Sequence, residues 1–341
     1  MDNDLFADAA RQVLADQCTP AVVRAIEAGG RAAPEAAALW AQLEATGLAD
    51  ALLPESQGGA GLALSQVFGV LEQCGAHALP LPLGETMVAR ALLAAAGVDR
   101  PAGGIALARG ERTPEGGLRC ALVRGGRVAH AVLAQAGDAW HLLGVAGAQE
   151  APQALALDAA LAWTPAQLQA APAVAVDAAL DLRTLQAAVL APQMAGAAMH
   201  VFQRTLQYAN ERQQFGRPIG KFQAIQHQLA VMSEHVFAAR MAAQLGCSGA
   251  GVRPDRLRVA TAKARCSEAA LAVAELAHAI HGAIGFTAEY DLQLFTRRLH
   301  AWRQAAGSES YWHDVAGQAL LEHQGLTLDV VRRITDVESV L

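Results

Sequence analysis

Apolar residues recur at helical spacing at both ends of the chain. In the first 95 residues they fall at i, i+3 and i+4, which is the spacing of one helix face, over 4–16, 33–46, 64–77 and 84–96. The same period returns near residue 182 in longer segments, over 182–212, 221–247, 255–281, 288–300 and 309–323. Long helices joined by short connections are typical of an antiparallel bundle. Pro192 lies inside the first of these long segments, where we expect it to kink the helix.

Between about 100 and 178 the pattern changes to short Val-, Leu- and Ala-rich runs separated by Gly, Asp or Pro. These runs are GIALAR, RCALVRGG, RVAHAVLAQ, WHLLGVAG and AVAVD. Such runs predict a small β domain. The fold class is therefore mainly α with a small central β domain. We predict an N-terminal helical domain over 1–98, a β domain over 99–178 and a C-terminal helical bundle over 179–341.

Composition narrows the class of protein further. With 341 residues, 53% of them hydrophobic, the chain can bury a substantial core. The 26 basic and 32 acidic residues include no basic tract, so we expect no nucleic-acid partner. The five cysteines are widely spaced and form no CxxC pair, which predicts buried thiols in a reducing compartment and no metal site. The N-terminus is acidic and lacks an apolar signal region, so we expect a cytoplasmic protein.

One apolar run needs a separate decision. The run ALAVAELAHAIHGAIGF is interrupted by Glu275, His278 and His281. A membrane helix requires roughly 20 consecutive apolar residues, so we predict no membrane span.

A polar stretch breaks the helical pattern between two long helices, at Arg212-Gln213-Gln214-Phe215-Gly216-Arg217-Pro218. The Arg212 guanidinium suits a phosphate or pyrophosphate group. Gln214 and Gln223 offer amides, and Phe215 offers a ring for packing against a flat group. Gly216 lets backbone approach a ligand closely, as does Gly220 just beyond the stretch. Taken alone, the stretch is better explained as a solvated turn, because short glycine motifs are weak signals.

A second break, His281-Gly282-Ala283-Ile284-Gly285, has the glycines of a turn whose backbone N–H groups can cradle an anion. Glycines at helix ends are also common as simple caps, so neither break decides the matter alone. Two phosphate-suited breaks in one bundle together favour an extended ligand that contains phosphate.

The stretches YANERQQFGRPIGKFQAIQHQLA and HGAIGFTAEYDLQLFTRR resemble the two bundle signatures of the acyl-CoA dehydrogenase family. The N-terminal LWAQLEATGLADALLPESQGGAGLALSQVFGVLEQCGAHALPLPLGETMVARALL resembles that family's helical first domain. The resemblance covers about 1–95 and 180–320. It implies an N-terminal helical domain, a middle β domain and a C-terminal four-helix bundle, with FAD bound between domains and across a subunit boundary.

The resemblance also implies an activity and site residues. Members desaturate acyl-CoA thioesters in lipid catabolism such as β-oxidation: a Glu removes the α proton, the β hydride passes to the flavin, and electrons leave through an electron-transfer flavoprotein. Arg212 falls where the family contacts the FAD pyrophosphate of a neighbouring subunit. The other matching cofactor positions are Gln214, Phe215, Gln223, Gly282 and Gly285.

The chain departs from the family at the catalytic base. The usual Glu position holds Ala306, and the alternative position on the first bundle helix holds Gln186. Neither side chain can take a proton at neutral pH. Glu309 lies within a turn of Ala306 and is the remaining candidate base, although a carboxylate there also fits an ordinary helix N-terminus.

A helical protein that has lost catalysis altogether is a third reading, which the presence of Arg212, Phe215, Gln223 and the 282–285 turn disfavours. Two functions therefore remain open. The first is an FAD-dependent acyl-CoA dehydrogenase in which Glu309 or a displaced group is the base. The alternative is a base-deficient partner subunit of a heteromeric dehydrogenase that completes the FAD site in trans. The acidic–Pro–Gly loop and the Trp-hydroxyl strand that usually hold the flavin ring are missing from the middle region. A homo-oligomer or a heterotetramer with a related subunit is expected in either case.

Overall fold

The computed structural model describes residues 2–336 and divides the chain into two compact units. The first unit comprises Met1–Val70, Leu79–Gln186 and Gly251–Arg253, and the second comprises Leu71–Ala78, Ala187–Ala250 and Pro254–Leu341. The three predicted domain boundaries stay a prediction. The strands of both four-stranded sheets lie between Ile105 and Val174, inside the range expected for the β domain.

Helices dominate the chain before the strands. They are α1 (Asp2–Gln17), α2 (Pro20–Gly29), α3 (Pro34–Ala45), α4 (Phe68–Ala76) and α5 (Leu83–Ala95). Helix α2 was not predicted, although its start carries two recognisable signals. Thr19 caps it by accepting from Val22 N, and Pro20 occupies the first helical position, where its missing N–H costs nothing.

The strands form two four-stranded sheets in the first unit. They are β1 (Ile105–Arg109), β2 (Glu111–Arg112), β3 (Leu118–Val123), β4 (Ala131–Ala136), β5 (Ala139–Gly144), β6 (Gln149–Pro152), β7 (Ala159–Trp163) and β8 (Ala173–Val174), with helix α6 (Pro165–Ala170) before β8. One sheet has the order β1-β4-β5-β8 and the other β2-β3-β7-β6. Buried residues from both sheets share one core, in which Trp163 donates from Nε1 to Gly144 O.

Side chains seal the free edge of β1, which is an outer strand of its sheet. Thr86 Oγ1 accepts from Ile105 N at 2.9 Å, and its own proton goes to Pro82 O at 2.7 Å, with Ile105 O further away at 3.3 Å. Two residues further along β1, Glu85 accepts from Leu107 N, and Gln186 Nε2 donates to Leu107 O at 2.8 Å. Unpaired backbone donors and acceptors on an outer strand can pair with a strand of another chain. These side-chain hydrogen bonds occupy those groups on β1, so the sheet ends there.

The second unit is a helical bundle. Its helices are α7 (Leu182–Glu211, of which the first turn belongs to the first unit), α8 (Gln223–Gly246), α9 (Arg256–His281), α10 (Leu292–Gln304), α11 (Glu309–Glu322) and α12 (Thr327–Thr335). Helix α9 is central and packs against α8, α10 and α11. Two hairpins, β9–β10 (Gln213–Gln214 with Arg217–Pro218) and β11–β12 (Gly249–Ala250 with Arg253–Pro254), follow α7 and α8.

Helix α7 continues through Pro192. A proline has no N–H, so the carbonyl oxygen four residues earlier, on Ala188, loses its helical donor. The Cys247 thiol supplies a replacement, because its Sγ lies 3.7 Å from Ala188 O. Burial raises the pKa of this thiol. The cysteine is therefore a neutral donor inside the bundle.

By length and composition alone, the segment Arg256–Phe286 is apolar enough to cross a membrane. Its packing gives a different reason for that composition, because α9 is surrounded by bundle helices and its Lys263 side chain is fully buried with its own hydrogen-bond partners. An apolar core helix of a bundle meets the same compositional test.

The predicted and observed elements differ in several places. The last predicted bundle segments are present, but α10 begins at Leu292 rather than at 288. The pattern missed the short helices α6 and α12 and the strands β2, β6 and β7. Strand β7 has the sequence AALAW, whose alanines carry no strand preference, and its pairing with β3 and β6 determines its conformation.

Candidate functional site

The polar stretch after α7 folds as a tight hairpin. Gln214 pairs with Arg217, so Phe215 and Gly216 are the two central turn residues. Both have positive φ, 50° and 78°, as a type I′ turn requires. Glycine adopts this conformation freely, whereas a bulky residue such as Phe215 does so only under strain. Strain of this kind often marks a functional position.

The hairpin exposes the residues predicted to bind a cofactor. Phe215 is 91% exposed, and Arg212, Gln214 and Gln223 are also exposed. Among residues 2–336, the Arg212 side chain forms no hydrogen bond or ion pair, which leaves its guanidinium available to an anion. Gly220 has a packing role instead, because a Cβ there would lie 3.0 Å from Ala209 O.

The second predicted element forms a short 3-10 turn at Gly282–Phe286, directly after α9. Gly282 ends the helix with φ 65°, and a Cβ on it would meet nothing within 4 Å. Gly285 packs tightly: a Cβ there would lie 3.2 Å from His278 Nδ1. Phe286 stacks on the His278 ring at 4.3 Å. The turn therefore packs against the His278 imidazole through Gly285 and Phe286, and Gly282 faces open space.

Tyr208 connects the hairpin to this turn. It lies on the last turn of α7, one helical turn before Arg212, and its hydroxyl donates to His281 O at 3.3 Å. Its ring stacks on the His281 imidazole at 4.3 Å. The two phosphate-suited breaks thus lie at the same end of the bundle, as a ligand that contacts both of them requires.

His281 has an unsatisfied ring nitrogen. The side chain is 4% exposed, and its Nδ1 lies 2.8 Å from Ala277 O, which can only accept, so Nδ1 carries the proton. The other nitrogen, Nε2, is a buried acceptor without a donor among the described residues. Burial, opposed by the bond to Ala277, lowers the pKa of His281, which keeps the ring neutral.

The surroundings of His281 include a cation. Tyr290 lies 5.2 Å from the His281 ring, and the Arg204 guanidinium sits over the Tyr290 ring at 5.4 Å. Arg204 pairs with no carboxylate within the part of the chain that the structure describes. Sequence reasoning missed Arg204, although its position four residues before Tyr208 places the two on one face of α7.

The loop between α10 and α11 carries Ala306. Ala306 itself has φ 56°, and Gly307 has φ 96° with no room for a Cβ, which would lie 2.7 Å from Tyr311. The buried Lys263 ammonium donates to Arg303 O and Gly307 O at 3.0 and 2.9 Å. A third anchor is Trp312 Nε1, which donates to Ala306 O. The sequence pattern did not identify Lys263 as the anchor of this loop, because a lysine within an apolar helix does not indicate which distant carbonyl groups it will bind.

Glu309 is held in an ion pair. Its carboxylate accepts two hydrogen bonds from Arg303, one of them from Nε at 3.0 Å. The hydrogen bonds from Arg303 lower the pKa of Glu309, against a smaller opposing effect of burial. A carboxylate with a lowered pKa is a weaker proton acceptor. Glu309 also begins α11, where a negative charge suits the helix dipole.

Gln186 is also committed to a structural contact. Its amide is the donor that seals β1 at Leu107 O. The side chain at the alternative base position therefore completes a sheet edge and carries no proton-accepting group.

The turn and the Ala306 loop lie at opposite ends of α9. His281 ends this helix, and Lys263, which anchors the loop, precedes it by 18 positions. At about 1.5 Å per residue the two contacts are about 27 Å apart along the helix axis. Arg212 and the turn are therefore remote from this chain's own Ala306.

The residues present fit one half of FAD. The free guanidinium of Arg212 suits a diphosphate, and the exposed Phe215 and the buried acceptor on His281 suit a nucleotide. The middle region has only two weak matches to the missing ring-binding strand and loop, at Trp140 and at Thr113-Pro114-Glu115-Gly116, and both have structural roles. Trp140 is buried in β5, and Thr113 closes a tight turn with Gly116 and Gly117. Among the described residues, no group of three or more His, Cys, Asp or Glu side chains could hold a metal ion.

Comparison with protein-family models gives two matches. Residues 1–100 match the acyl-CoA dehydrogenase N-terminal domain, and residues 177–338 match the acyl-CoA dehydrogenase C-terminal domain. Among curated proteins, the chain is 32% identical over 322 residues to the acyl-CoA dehydrogenase IpdE2 of Mycobacterium tuberculosis, covering 89% of this chain and 92% of that protein. It is 30% identical to the acyl-CoA dehydrogenase FadE34 of the same organism, covering 80% of this chain and 41% of FadE34.

Solved structures with the same fold include a complex of two named chains. The Tcur3481–Tcur3483 steroid ACAD G363A variant aligns with a TM-score of 0.78 and 26% identity over 94% of this chain and 98% of that chain. The ChsE4–ChsE5 complex from Mycobacterium tuberculosis aligns with a TM-score of 0.81 and 24% identity over 95% and 98%. Butyryl-CoA dehydrogenase from Megasphaera elsdenii aligns with a TM-score of 0.76 at 18% identity, covering 94% and 98%.

Proposed function

Because the chain belongs to the acyl-CoA dehydrogenase family, whose members are oxidoreductases acting on acyl-CoA, we propose that it is the base-deficient subunit of a heteromeric acyl-CoA dehydrogenase. In this proposal it completes, in trans, an FAD site whose flavin ring and catalytic base belong mainly to a related subunit. The observation that carries the proposal is that none of the three candidate base positions offers a free proton acceptor: Ala306 has no such group, Gln186 is bonded to Leu107, and Glu309 is paired with Arg303.

The positions of the cofactor-binding residues support a site shared between chains. Arg212 and the turn at Gly282–Phe286 lie at one end of α9, and the Ala306 loop lies at the other. If one chain bound one FAD by itself, the cofactor would have to reach from one end of α9 to the other, about 27 Å. Residues donated to a neighbouring chain's FAD need no contact with this chain's own loop.

Each residue then has a definite task. Arg212 binds the diphosphate, Phe215 packs against a flat part of the nucleotide, and Gln214, Gln223, Gly282 and Gly285 line the same end of the bundle. The chemistry that FAD would supply when bound is acceptance of the hydride from the β carbon of the thioester. The α proton goes to a carboxylate of the related subunit, because Ala306 leaves this chain without a base at its own loop.

A steroid-derived acyl-CoA is the substrate class we propose for the assembly, since a steroid ACAD with two named chains is among the structures that this chain resembles. Electrons would leave through an electron-transfer flavoprotein, and the assembly would work in the cytoplasm. A heterotetramer is the proposed form, supported by the ChsE4–ChsE5 complex of the same fold and by the two chains named for the steroid ACAD.

The test is co-expression with a related dehydrogenase chain that has Glu at the position matching Ala306. Thioester dehydrogenation is then followed with an artificial electron acceptor. We expect activity from the co-purified pair and none from this chain alone. Replacing the partner's Glu by Gln should abolish activity of the pair. Full activity of this chain without a partner would overturn the proposal and return the search for a base to Glu309.

A further inference from the structure

The end of α11 and the start of α12 expose a cluster of large apolar side chains, which we call the α12 patch. Its members are each more than 40% exposed: Leu320, Leu321, Leu326, Leu328 and Val331. Leu321 and Leu326 are the most exposed, at 84% and 70%. Exposed apolar patches on a folded protein mark sites of interaction with other molecules.

Helix α12 has two apolar faces, and the chain covers one of them. Val330 is buried and Ile334, one turn later, is half-buried, so this pair packs against the second unit. Leu328 and Val331, three positions apart, form a second stripe that is about half exposed. An amphipathic surface helix ordinarily buries its apolar stripe. The second stripe on α12 therefore indicates a surface that another molecule covers.

The charges beside the exposed stripe favour a protein as that molecule. Arg332 Nη1 lies 3.9 Å from Asp329 Oδ1, and Arg333 Nη2 lies 3.4 Å from Asp255 Oδ2. A helix that binds an anionic membrane presents a surplus of basic side chains beside its apolar face. Both arginines of α12 already have a carboxylate nearby. The nearly balanced charge fits the charge-poor centre of a protein interface instead.

We propose that the α12 patch binds the same patch on a second copy of this chain, with the two α12 helices antiparallel about a twofold axis. A twofold contact requires a surface that complements itself. Asp329 and Arg332 meet this requirement, because they have opposite charges and are equally distant from the point midway between Val330 and Val331. Being three positions apart, they also lie on the same flank of the helix.

A twofold axis at that midpoint brings equal flanks of the two helices together, so that Asp329 of each copy lies opposite Arg332 of the other. Two reciprocal ion pairs then border an apolar centre that contains Leu328 and Val331. The apolar centre supplies affinity, and the charges at its border fix the antiparallel register. Within one chain the same two side chains make only a long, exposed contact.

The patch is remote from the residues assigned to FAD. Arg258, in the first turn of α9, donates to Arg333 O at 3.1 Å and to Asp336 O at 2.6 Å, so α12 lies beside the start of α9. His281 ends α9 23 positions later, about 34 Å along the helix axis. A heterotetramer needs one contact that shares FAD and a second that joins its halves. The role of the α12 patch as that second contact rests on the proposed function, whereas pairing of two copies is a property of this chain alone.

The experiment measures the mass of the purified full chain by sedimentation equilibrium, without any related subunit. We expect a dimer of 71 kDa, twice the 35.5 kDa of one chain. Asp329→Arg and Arg332→Asp each set like charges opposite each other, so each should weaken the dimer at least about tenfold. Both residues are exposed, and their substitution removes no buried contact.

An equal mixture of these two variants is the decisive sample. The introduced arginine of one then faces the introduced aspartate of the other, and the second pair is the native one. The mixture should therefore regain the dimer that neither variant forms alone. A merely destabilised helix would not be rescued in this way, since both variants lack the pair within one chain.

Asp8→Arg is the matched control, because Asp8 and Arg11 form an exposed pair of the same spacing on α1. It should leave the dimer unchanged. A monomeric unmodified chain, or a mixture that stays monomeric, would overturn the proposal. A monomeric chain whose complex with a related subunit is weakened by Asp329→Arg would also overturn it and assign the patch to that subunit. Absence of any complex with a related subunit would overturn the proposed function while leaving the dimer test intact.

Discussion

Lys263 donates a hydrogen bond across 2.9 Å to the carbonyl oxygen of Gly307 and so fixes the loop that carries Ala306. The lysine is completely buried, and its other donors go to Ser267 Oγ and Arg303 O. The position at which the family resemblance leads us to expect the base is thus held by three side-chain hydrogen bonds to its loop, and in this chain it carries only a methyl group. Retention of the loop without the carboxylate is what we expect of a subunit that still packs in a dehydrogenase assembly.

Removing the buried ammonium should destabilise the chain strongly. In Lys263→Met a side chain of similar length remains, but Ser267 Oγ and two carbonyl oxygens lose their donor. Arg303 O still accepts from Ser267 Oγ, so two groups are left without a donor. At roughly 1–3 kcal/mol for each unsatisfied buried group, we expect the free energy of unfolding to fall by about 2–6 kcal/mol. Urea denaturation measures it, with the exposed Lys221→Met as the matched control. A change below about 0.5 kcal/mol would show that water replaces the ammonium.

The sequence predicted the long helices well, because each has a sustained apolar period that no other element type shares. It predicted the hairpin and the turn as breaks, because Arg, Gly and Pro interrupt that period. It could not predict that Gln186 bonds to Leu107, since the partners are 79 positions apart and meet only when α7 and β1 are placed. The sequence also left Glu309 as a candidate base. Its pairing with Arg303 depends on the conformation of the loop between them, which the sequence pattern does not predict.

Arg212→Ala should weaken FAD binding to the assembly by about 10- to 100-fold, the range expected for loss of a hydrogen bond to a charged group. The guanidinium has no partner within residues 2–336, so its removal breaks no internal contact and should leave the folding free energy unchanged. Flavin fluorescence titration measures the affinity. Lys221→Ala, which removes a positive charge just beyond the hairpin, serves as the control. Unaltered flavin affinity in Arg212→Ala would contradict the diphosphate assignment.

Glu309→Gln should leave turnover of the assembly within about threefold of the unmodified value. Its carboxylate is occupied by Arg303, whose hydrogen bonds lower the pKa of Glu309. Loss of a true general base typically reduces the rate by about 10²–10⁴-fold. Steady-state kinetics with saturating thioester separates the two outcomes. A loss of a hundredfold or more, with the flavin still bound, would identify Glu309 as the base and refute the partner-subunit account.

The second unit should lose stability on mild acidification. Burial lowers the pKa of His200 to about 4, with Arg204 and His77 acting in the same direction, and the pKa values of His278 and His281 are also lowered, chiefly by burial. Between pH 6.5 and 4 the unfolded chain binds protons that the folded chain refuses, so the free energy of unfolding falls as pH falls. For His200 alone we expect about 3 kcal/mol over that window.

Urea midpoints at pH 7 and pH 4.5 test this acid dependence. His200 stacks on Phe295 at 4.0 Å, so His200→Phe preserves a ring in that place while removing the titrating group. The variant should lose less stability between the two pH values than the unmodified chain. An identical pH dependence in both proteins would show that His200 does not contribute to it.

The visible absorption spectrum of the purified chain, alone and after co-expression with a related dehydrogenase subunit, tests the central claim most directly. We predict a colourless chain that appears in a yellow complex when the partner is present, with the flavin bleaching on addition of a steroid-derived acyl-CoA. A full flavin spectrum that bleaches with acyl-CoA in the absence of any partner would contradict the account.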